Sequence, residues 1–197
     1  MRIFRAMIDL NVYNSLEPQK GRLLITEPFL DSDYFHRTVI LLCEHNEEGT
    51  FGFVLNKYVD IALSDFEGIP EFDTRISMGG PVSTKNLYYI HTLGDKLPGS
   101  IQVVDNLYAG GDFEILKELI ASNQIAHNQI RFFLGYSGWV EKQLEGELKN
   151  NSWLVADIKS IDDVMDVEYD NIWADYMQAM GGKYKAFAHF PKDASLN

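Results

Sequence analysis

The stretch TVILLCEH (residues 38–45) constrains this chain more than any other. Val39 to Cys43 are all apolar, without alternation, over a length that suits a strand. The pattern predicts a β-strand covered on both faces. NEEG (46–49) then supplies a turn, because asparagine opens turns readily and Gly49 can take positive φ. TFGFVLNK (50–57) resumes as a second strand, so the segment reads as a hairpin with a four-residue loop. Cys43, Glu44 and His45 at the end of the first strand each belong to residue types that bind metals or move protons. In regular strand geometry Cys43 and His45 share one face and Glu44 points to the other, so the three cannot converge on one atom without a bulge. With one cysteine in the chain, a zinc site would need histidine or carboxylate ligands. The five histidines (His36, His45, His91, His127 and His189) show no ligand spacing. Cys43 is therefore read as a small core residue, Glu44 and His45 as strand-end groups bonding to the turn, and no metal or cofactor is called for.

The rest of the chain alternates between strands and later helices. GRLLITEPF gives a strand stopped by Pro28, followed by a polar connector with Asp31 or Ser32 as a candidate cap. IALSDF suggests a short helix. TRISMGGPV is a strand broken at Gly79-Gly80-Pro81, and NLYYIHTL is another strand. DFEILKELIAS carries a helical stripe at Phe113, Leu116, Leu119 and Ile120 behind an Asp112 cap. QIRFFLGY is an apolar strand. SGWVEKQLEGELKN is expected to open into a helix capped by Ser137, with Val140, Leu144 and Leu148 on one stripe. SWLVAD is a further strand, and two acidic helical segments, 161–167 and 169–180, end at Gly181-Gly182. Residues 1–20 form a lead-in, and residues 21–197 read as one domain with no linker or repeat. Hairpin-linked strands with inserted helices argue an α+β fold on a largely antiparallel sheet.

Charge narrows the function classes. Twenty-nine acidic against 17 basic residues give a formal net charge of −12, which repels nucleic-acid phosphates unless a basic patch overrides it. The densest basic group, Lys183 and Lys185 with Lys192 further on, is sparse. No stretch approaches the roughly 18 apolar residues a membrane helix needs. Arg5 and Asp9 interrupt the amino terminus where a signal peptide would be apolar. A lone cysteine suits a reducing compartment, so a cytoplasmic location is expected.

Four features invite chemistry and argue against it. MGGPV resembles a phosphate-cradling loop but lacks the downstream Gly-Lys-Ser/Thr. A backbone anion nest with Ser83, Thr84 and Lys85 remains an option, beside the simpler one that the glycines let backbones pass closely. GYSGW misses the nucleophile elbow G-x-S-x-G, because Trp139 stands where the second glycine belongs. Glu141, Glu145 and Glu147 are expected to form a solvated helix face. Tyr88, Tyr89, Phe132, Phe133 and the tryptophans lack the flanking positive charge that nucleic-acid stacking needs, and are assigned to the core.

Taken in order, C-E-H-N-x-x-G, G-G-P-V and G-Y-x-G-W-x-x-x-Q-L-E give a specific combination. Through them the chain resembles the YqgE/AlgH family of bacterial proteins, convincingly over about residues 20–156. The resemblance implies an α+β fold with a strongly curved, bifurcated, largely antiparallel and partly barrel-like sheet surrounded by helices. It also brings a transcriptional-regulator label, which stems from a link with alginate control in one member, and it brings no catalytic residues. Two positions depart from the family pattern. Asn86 and Leu87 stand near the place of an Arg-Gly pair, and Ser137 stands where many members have alanine.

The expectation that follows is a non-enzymatic regulatory or binding protein acting through a protein or small-molecule partner. Candidate contact residues are Glu44, His45, Asn46, Gly79, Gly80, Pro81, Tyr136, Ser137, Trp139 and Gln143, which sit at expected strand ends and turns. Direct DNA binding and an enzyme with Glu44, His45, Gly79 and Gly80 around one cleft are the alternatives.

Overall fold

The computed structural model describes residues 16–30 and 32–189. Most of the lead-in and the candidate cap Asp31 lie outside these residues. Ser32 Oγ accepts from Phe35 N at 3.1 Å within a turn, not a helix.

The apolar run becomes β2 (Val39–Asn46), between β1 (Arg22–Thr26) and β3 (Gly49–Val54). Leu41 and Cys43 belong to one buried cluster and Ile40 and Leu42 to another, so both faces are covered, as an unbroken run requires. The hairpin is tighter than its sequence suggests. Asn46 pairs with Gly49, which leaves Glu47 and Glu48 as the turn. Asn46 Oδ1 accepts from Glu48 N at 2.9 Å and Gly49 N at 3.2 Å, the contact that makes asparagine a turn opener.

A long central strand, β9 (Ile130–Val140), organises the rest. Its last residues, Ser137 to Val140, pair antiparallel with β3. Its earlier residues pair antiparallel with β6 (Val82–His91) on one side and parallel with β5 (Ile76–Met78) on the other. Thus β3 and β5 share one edge of β9, and the sheet forks there. The fork demands backbone contact. A Cβ on Gly80 would overlap the peptide joining Tyr136 to Ser137, and Gly135, at φ +70°, passes Gly80 O so closely that its own Cβ would lie 2.7 Å from it. This explains why the strand breaks at Gly79-Gly80.

The full order is β10 (Trp153–Asp157), β1, β2, β3, β9, β6, β8 (Leu107–Ala109), β7 (Ile101–Val104), with β4 (Tyr58–Val59) on β5. The pairing is antiparallel except between β5 and β9. The sheet curls without closing into a barrel. Its curl brings Val104 of β7 against the start of β1, where a Cβ on Gly21 would lie 2.7 Å from Val104 Cβ.

Among the described residues, five helices surround the sheet. α1 (Phe113–Ala121) begins as predicted, with Asp112 Oδ1 accepting from Glu114 N and Ile115 N, and it buries Leu116 and Ile120. α2 (Gln143–Lys149) begins later than predicted, because β9 continues through Val140 to pair with β3. Ser137 is therefore a buried strand residue and not a cap. Lys142, at φ 62°, occupies the cap position. Val140 is 72% exposed and leaves the predicted stripe. IALSDF forms a single 3-10 turn, Leu63–Asp65. α3 (Ile161–Met165) and α4 (Ile172–Met180) realise the acidic helical segments, and Gly181 ends α4 at φ 71° before a further short helix, α5 (Gly182–Phe187). α3, α4 and α5 place Val164, Trp173, Met177 and Tyr184 on the concave side, against Leu41, Phe53 and Phe133.

Candidate functional site

The opening trio is arranged differently from the strand expectation. The β2–β3 register shifts between Leu42 and Glu44, which makes Cys43 the extra residue of a bulge. Leu41 faces Phe53 and, beyond the bulge, Glu44 faces Phe51, so Cys43 and Glu44 lie on the same concave side. His45 turns to the other side, where its Nδ1 meets Thr50 Oγ1 at 2.7 Å. The expected split, with Cys43 and His45 together and Glu44 opposite, is reversed by this one extra residue. The cysteine is 1% exposed, and burial, aided by the charge of Glu44, pushes its thiol far above the ordinary range. It is inert.

Glu44 instead enters a cleft. Phe51 and Phe53 on β3, Tyr88 on β6 and Tyr136 on β9 all project to the concave side, because cross-strand neighbours share a face. Their ring centroids form a closed four-membered circuit: Phe51 to Phe53, 6.0 Å; Phe53 to Tyr88, 5.9 Å; Tyr88 to Tyr136, 5.6 Å; Tyr136 to Phe51, 6.1 Å. Phe133 stacks under Phe53 at 4.5 Å and fixes the floor. The four rings and Glu44 line a cleft of about 600 Å³ that also takes in Asn46 and Glu48. Phe51, Phe53 and Tyr88 also line a second cleft, of about 700 Å³, which runs towards Phe66, Leu87 and Phe113. Among the described residues, no lysine or arginine lines either one. Phe51, Tyr88 and Tyr136 are half-buried, and neither tyrosine hydroxyl has a hydrogen-bond partner among the described residues.

The structure thus gathers Glu44, Asn46, Tyr136 and Trp139 of the sequence candidates at one cleft and places the others elsewhere. Gly79 N donates to Leu134 O at 2.9 Å and Gly79 O accepts from Ser137 Oγ at 3.1 Å, so Gly79 is committed to the fork and forms no anion nest. Tyr34 OH donates to Gly80 O at 2.8 Å, and Pro81 is exposed outside the cleft. The cleft of Glu44, His45, Gly79 and Gly80 required by the enzyme alternative does not form. Gln143 Oε1 accepts from Val140 N, and its amide donates to Glu147 Oε1 at 3.0 Å. Glu147 Oε2 also accepts from the indole N–H groups of Trp139 at 2.8 Å and Trp153 at 2.7 Å. Glu147 therefore leaves the solvated face assigned to it and clamps two tryptophans on the convex side.

Phe51, Phe53 and Tyr88 escaped the sequence analysis as site residues. The signal was present in the i, i+2 spacing of Phe51 and Phe53, which puts both on one face. What the sequence could not supply was the strand order.

Two other polar groups resemble machinery. His91 Nε2 lies 2.9 Å from Ser100 Oγ, the geometry of a nucleophile and its base. The tautomer forbids it. Leu93 N donates to His91 Nδ1 at 3.2 Å, so Nδ1 carries no proton and Nε2 must carry it, donating towards Ser100 or Gly110 O. Burial holds the imidazole pKa below its ordinary value and keeps it neutral. Arg131, 1% exposed, donates to the carbonyls of Leu55, Val164 and Asp166 and to Ser77 Oγ, a structural cross-link between the sheet and the end of α3. Among the described residues, no three His, Cys, Asp or Glu side chains gather in a metal-binding arrangement.

Comparison with known proteins places this architecture. A profile of the family described as AlgH-like matches residues 23–185. The chain belongs to the AlgH-like family. Among its AlgH-like relatives, a UPF0301 protein of Parabacteroides distasonis is 43% identical over 188 residues, 94% of either chain. Another, of Cytophaga hutchinsonii, is 42% identical over 180 residues, covering 90% of this chain and 98% of the relative. A crystal structure of a Corynebacterium diphtheriae protein superposes with a TM-score of 0.67 at 26% identity, over 96% of this chain and 98% of that one. The solution structure of AlgH from Pseudomonas aeruginosa gives a TM-score of 0.69 at 23% identity, over 91% and 100%. The latter likeness concerns the fold alone. In this AlgH-like chain no described helix is long and apolar enough to cross a membrane.

Proposed function

We propose that this protein is a non-enzymatic cytoplasmic binding protein whose aromatic cleft takes a small ligand, and that occupancy of the cleft is what it signals to a regulatory partner. The observation that carries this is the circuit of Phe51, Phe53, Tyr88 and Tyr136 on one concave face, with unpaired hydroxyls and a carboxylate at its rim. Its volume falls within the range of small-molecule sites, which are mostly apolar with a few convergent polar groups. The free, buried Cys43 thiol fits a reducing compartment. The acidic lining of the cleft makes it unsuited to a phosphate backbone.

A fragment screen with anionic, neutral and cationic members, read by NMR on the tyrosine rings, tests this. We expect hits that shift Tyr88 and Tyr136 and are lost in Tyr136→Leu. A screen in which no fragment of any charge perturbs those rings overturns the proposal. Chemical conversion of a bound fragment, seen by mass spectrometry, would overturn its non-enzymatic part.

A further inference from the structure

We infer that the ligand is a small organic cation, an alkylated ammonium whose head sits among the four rings against Glu44 and whose apolar body extends over Phe53 and Tyr88 into the second cleft. This rests on the small-ligand reading above and adds the charge and shape of the ligand to it.

Three independent features point the same way. The first is the ring circuit. Aromatic faces carry partial negative charge, and a cation within about 6 Å of a ring centroid is attracted to it. Here four neighbouring rings stand 5.6 to 6.1 Å apart in sequence around one cleft, so a head group entering it meets the half-buried rings of Phe51, Tyr88 and Tyr136, with Phe53, 2% exposed, behind them. Adjacent rings in three of the four pairs are inclined by 76° to 81°, an arrangement that forms walls more than a flat platform. The second is charge. Glu44 and Glu48 line the first cleft and Glu67 the second, and among the described residues no basic residue lines either cleft and Glu44 has no cationic partner. An anionic or phosphorylated ligand would meet like charge throughout. The third is continuity. Phe51, Phe53 and Tyr88 line both clefts, so a ligand held by its head in the first finds apolar wall beyond it. A head group with methyl or methylene substituents suits this site better than a bare ammonium, because its weaker hydration costs less to remove.

The bulge at Cys43 is what makes this possible. In a regular strand Glu44 would point to the convex side, and the cleft would lose that carboxylate.

The test compares isosteres. Choline and 3,3-dimethylbutan-1-ol have the same shape and differ in charge, and 3,3-dimethylbutanoate supplies the anion. NMR titrations of the full chain, read on Tyr88 and Tyr136, should give choline about tenfold tighter than the neutral alcohol, with the acid weakest. Hexyltrimethylammonium should bind tighter than choline, and its chain should shift Leu87 and Phe113. Glu44→Gln should weaken choline several-fold and leave the alcohol unchanged, and its unfolding midpoint checks that the variant is folded. The alcohol or the acid binding as well as choline overturns the cation inference while leaving the small-ligand reading standing. A shift pattern confined to residues outside the cleft also overturns it. If none of the four probes touches the tyrosines and the broader screen also fails, the small-ligand reading falls with it.

Discussion

Replacing Arg131 with methionine probes how far the fold depends on one buried cation. Its guanidinium donates to Val164 O at 2.6 Å, Asp166 O at 3.0 Å, Ser77 Oγ at 3.1 Å and, closely, to Leu55 O. No carboxylate touches it among the described residues, so its charge is dispersed over carbonyl dipoles and the Phe133 ring 5.7 Å away. Burial lowers its pKa, yet guanidinium remains protonated at any ordinary pH. Methionine keeps an unbranched apolar stem without donors and leaves three carbonyls without this partner, at about 1–3 kcal/mol each. Relief from burying the charge offsets several kcal/mol of that. A net loss on the order of 3 kcal/mol follows, which for a chain of this size lowers Tm by roughly 6–12 °C. Urea unfolding with hydrogen exchange is the assay. The midpoint should fall, and amides of residues 164–170 should lose protection more than those of β1 and β2, because that segment would lose its hydrogen bonds to Arg131 and keep those of Arg75 to Val167 O, Glu168 and Asp170. An unchanged midpoint, or uniform loss of protection, would refute the cross-link argument.

Gly80→Ala should not fold, since its Cβ overlaps the Tyr136–Ser137 peptide, whereas Gly146→Ala, in open space within α2, should gain about 1 kcal/mol; expression and thermal unfolding separate them. His91 is held neutral by burial, so as pH falls through the unfolded histidine value near 6.5 the unfolded chain gains a proton that the folded chain refuses. Stability should therefore be full above that pH and decline below it, by at most about 1.4 kcal/mol one unit down, and His91→Gln should flatten the profile of urea midpoint against pH; parallel profiles would count against it. Glu147→Gln can keep a carbonyl oxygen for the two indole N–H groups only by turning its NH2 against the Gln143 amide that donates to Oε1, so we expect a loss of about 1–3 kcal/mol and, with the charge beside both indoles removed, a shift in tryptophan emission.

Legibility followed locality. The β2 strand and the Asp112 cap were readable because each depends on neighbours within a few residues. Ser137 was misread because a serine before a polar, helix-favouring stretch satisfies the rules for a cap as well as it fits a strand. Only pairing with β3, far off in sequence, decides the matter. The β7–β8 hairpin, which carries no sequence prediction, has short strands and little alternation, so its pairing with β6 supplies what its sequence lacks.

The site was harder still, since it exists only where β2, β3, β6 and β9 lie side by side. One local signature was misleading: Cys43-Glu44-His45 looked like ligands, and strand geometry alone sets Glu44 apart from the other two. The bulge keeps one of the three. The glycines of GYSGW find their reason in the same place. Gly135 lets β9 cross Gly80 at the fork. A Cβ on Gly138 would stand 3.1 Å from Tyr136 Cε2, so its absence lets that ring lie over the strand and close the circuit with Phe51 and Tyr88. The motif that resembled a failed nucleophile elbow is thus a seat for an aromatic wall, with Ser137 facing the opposite way into the fork.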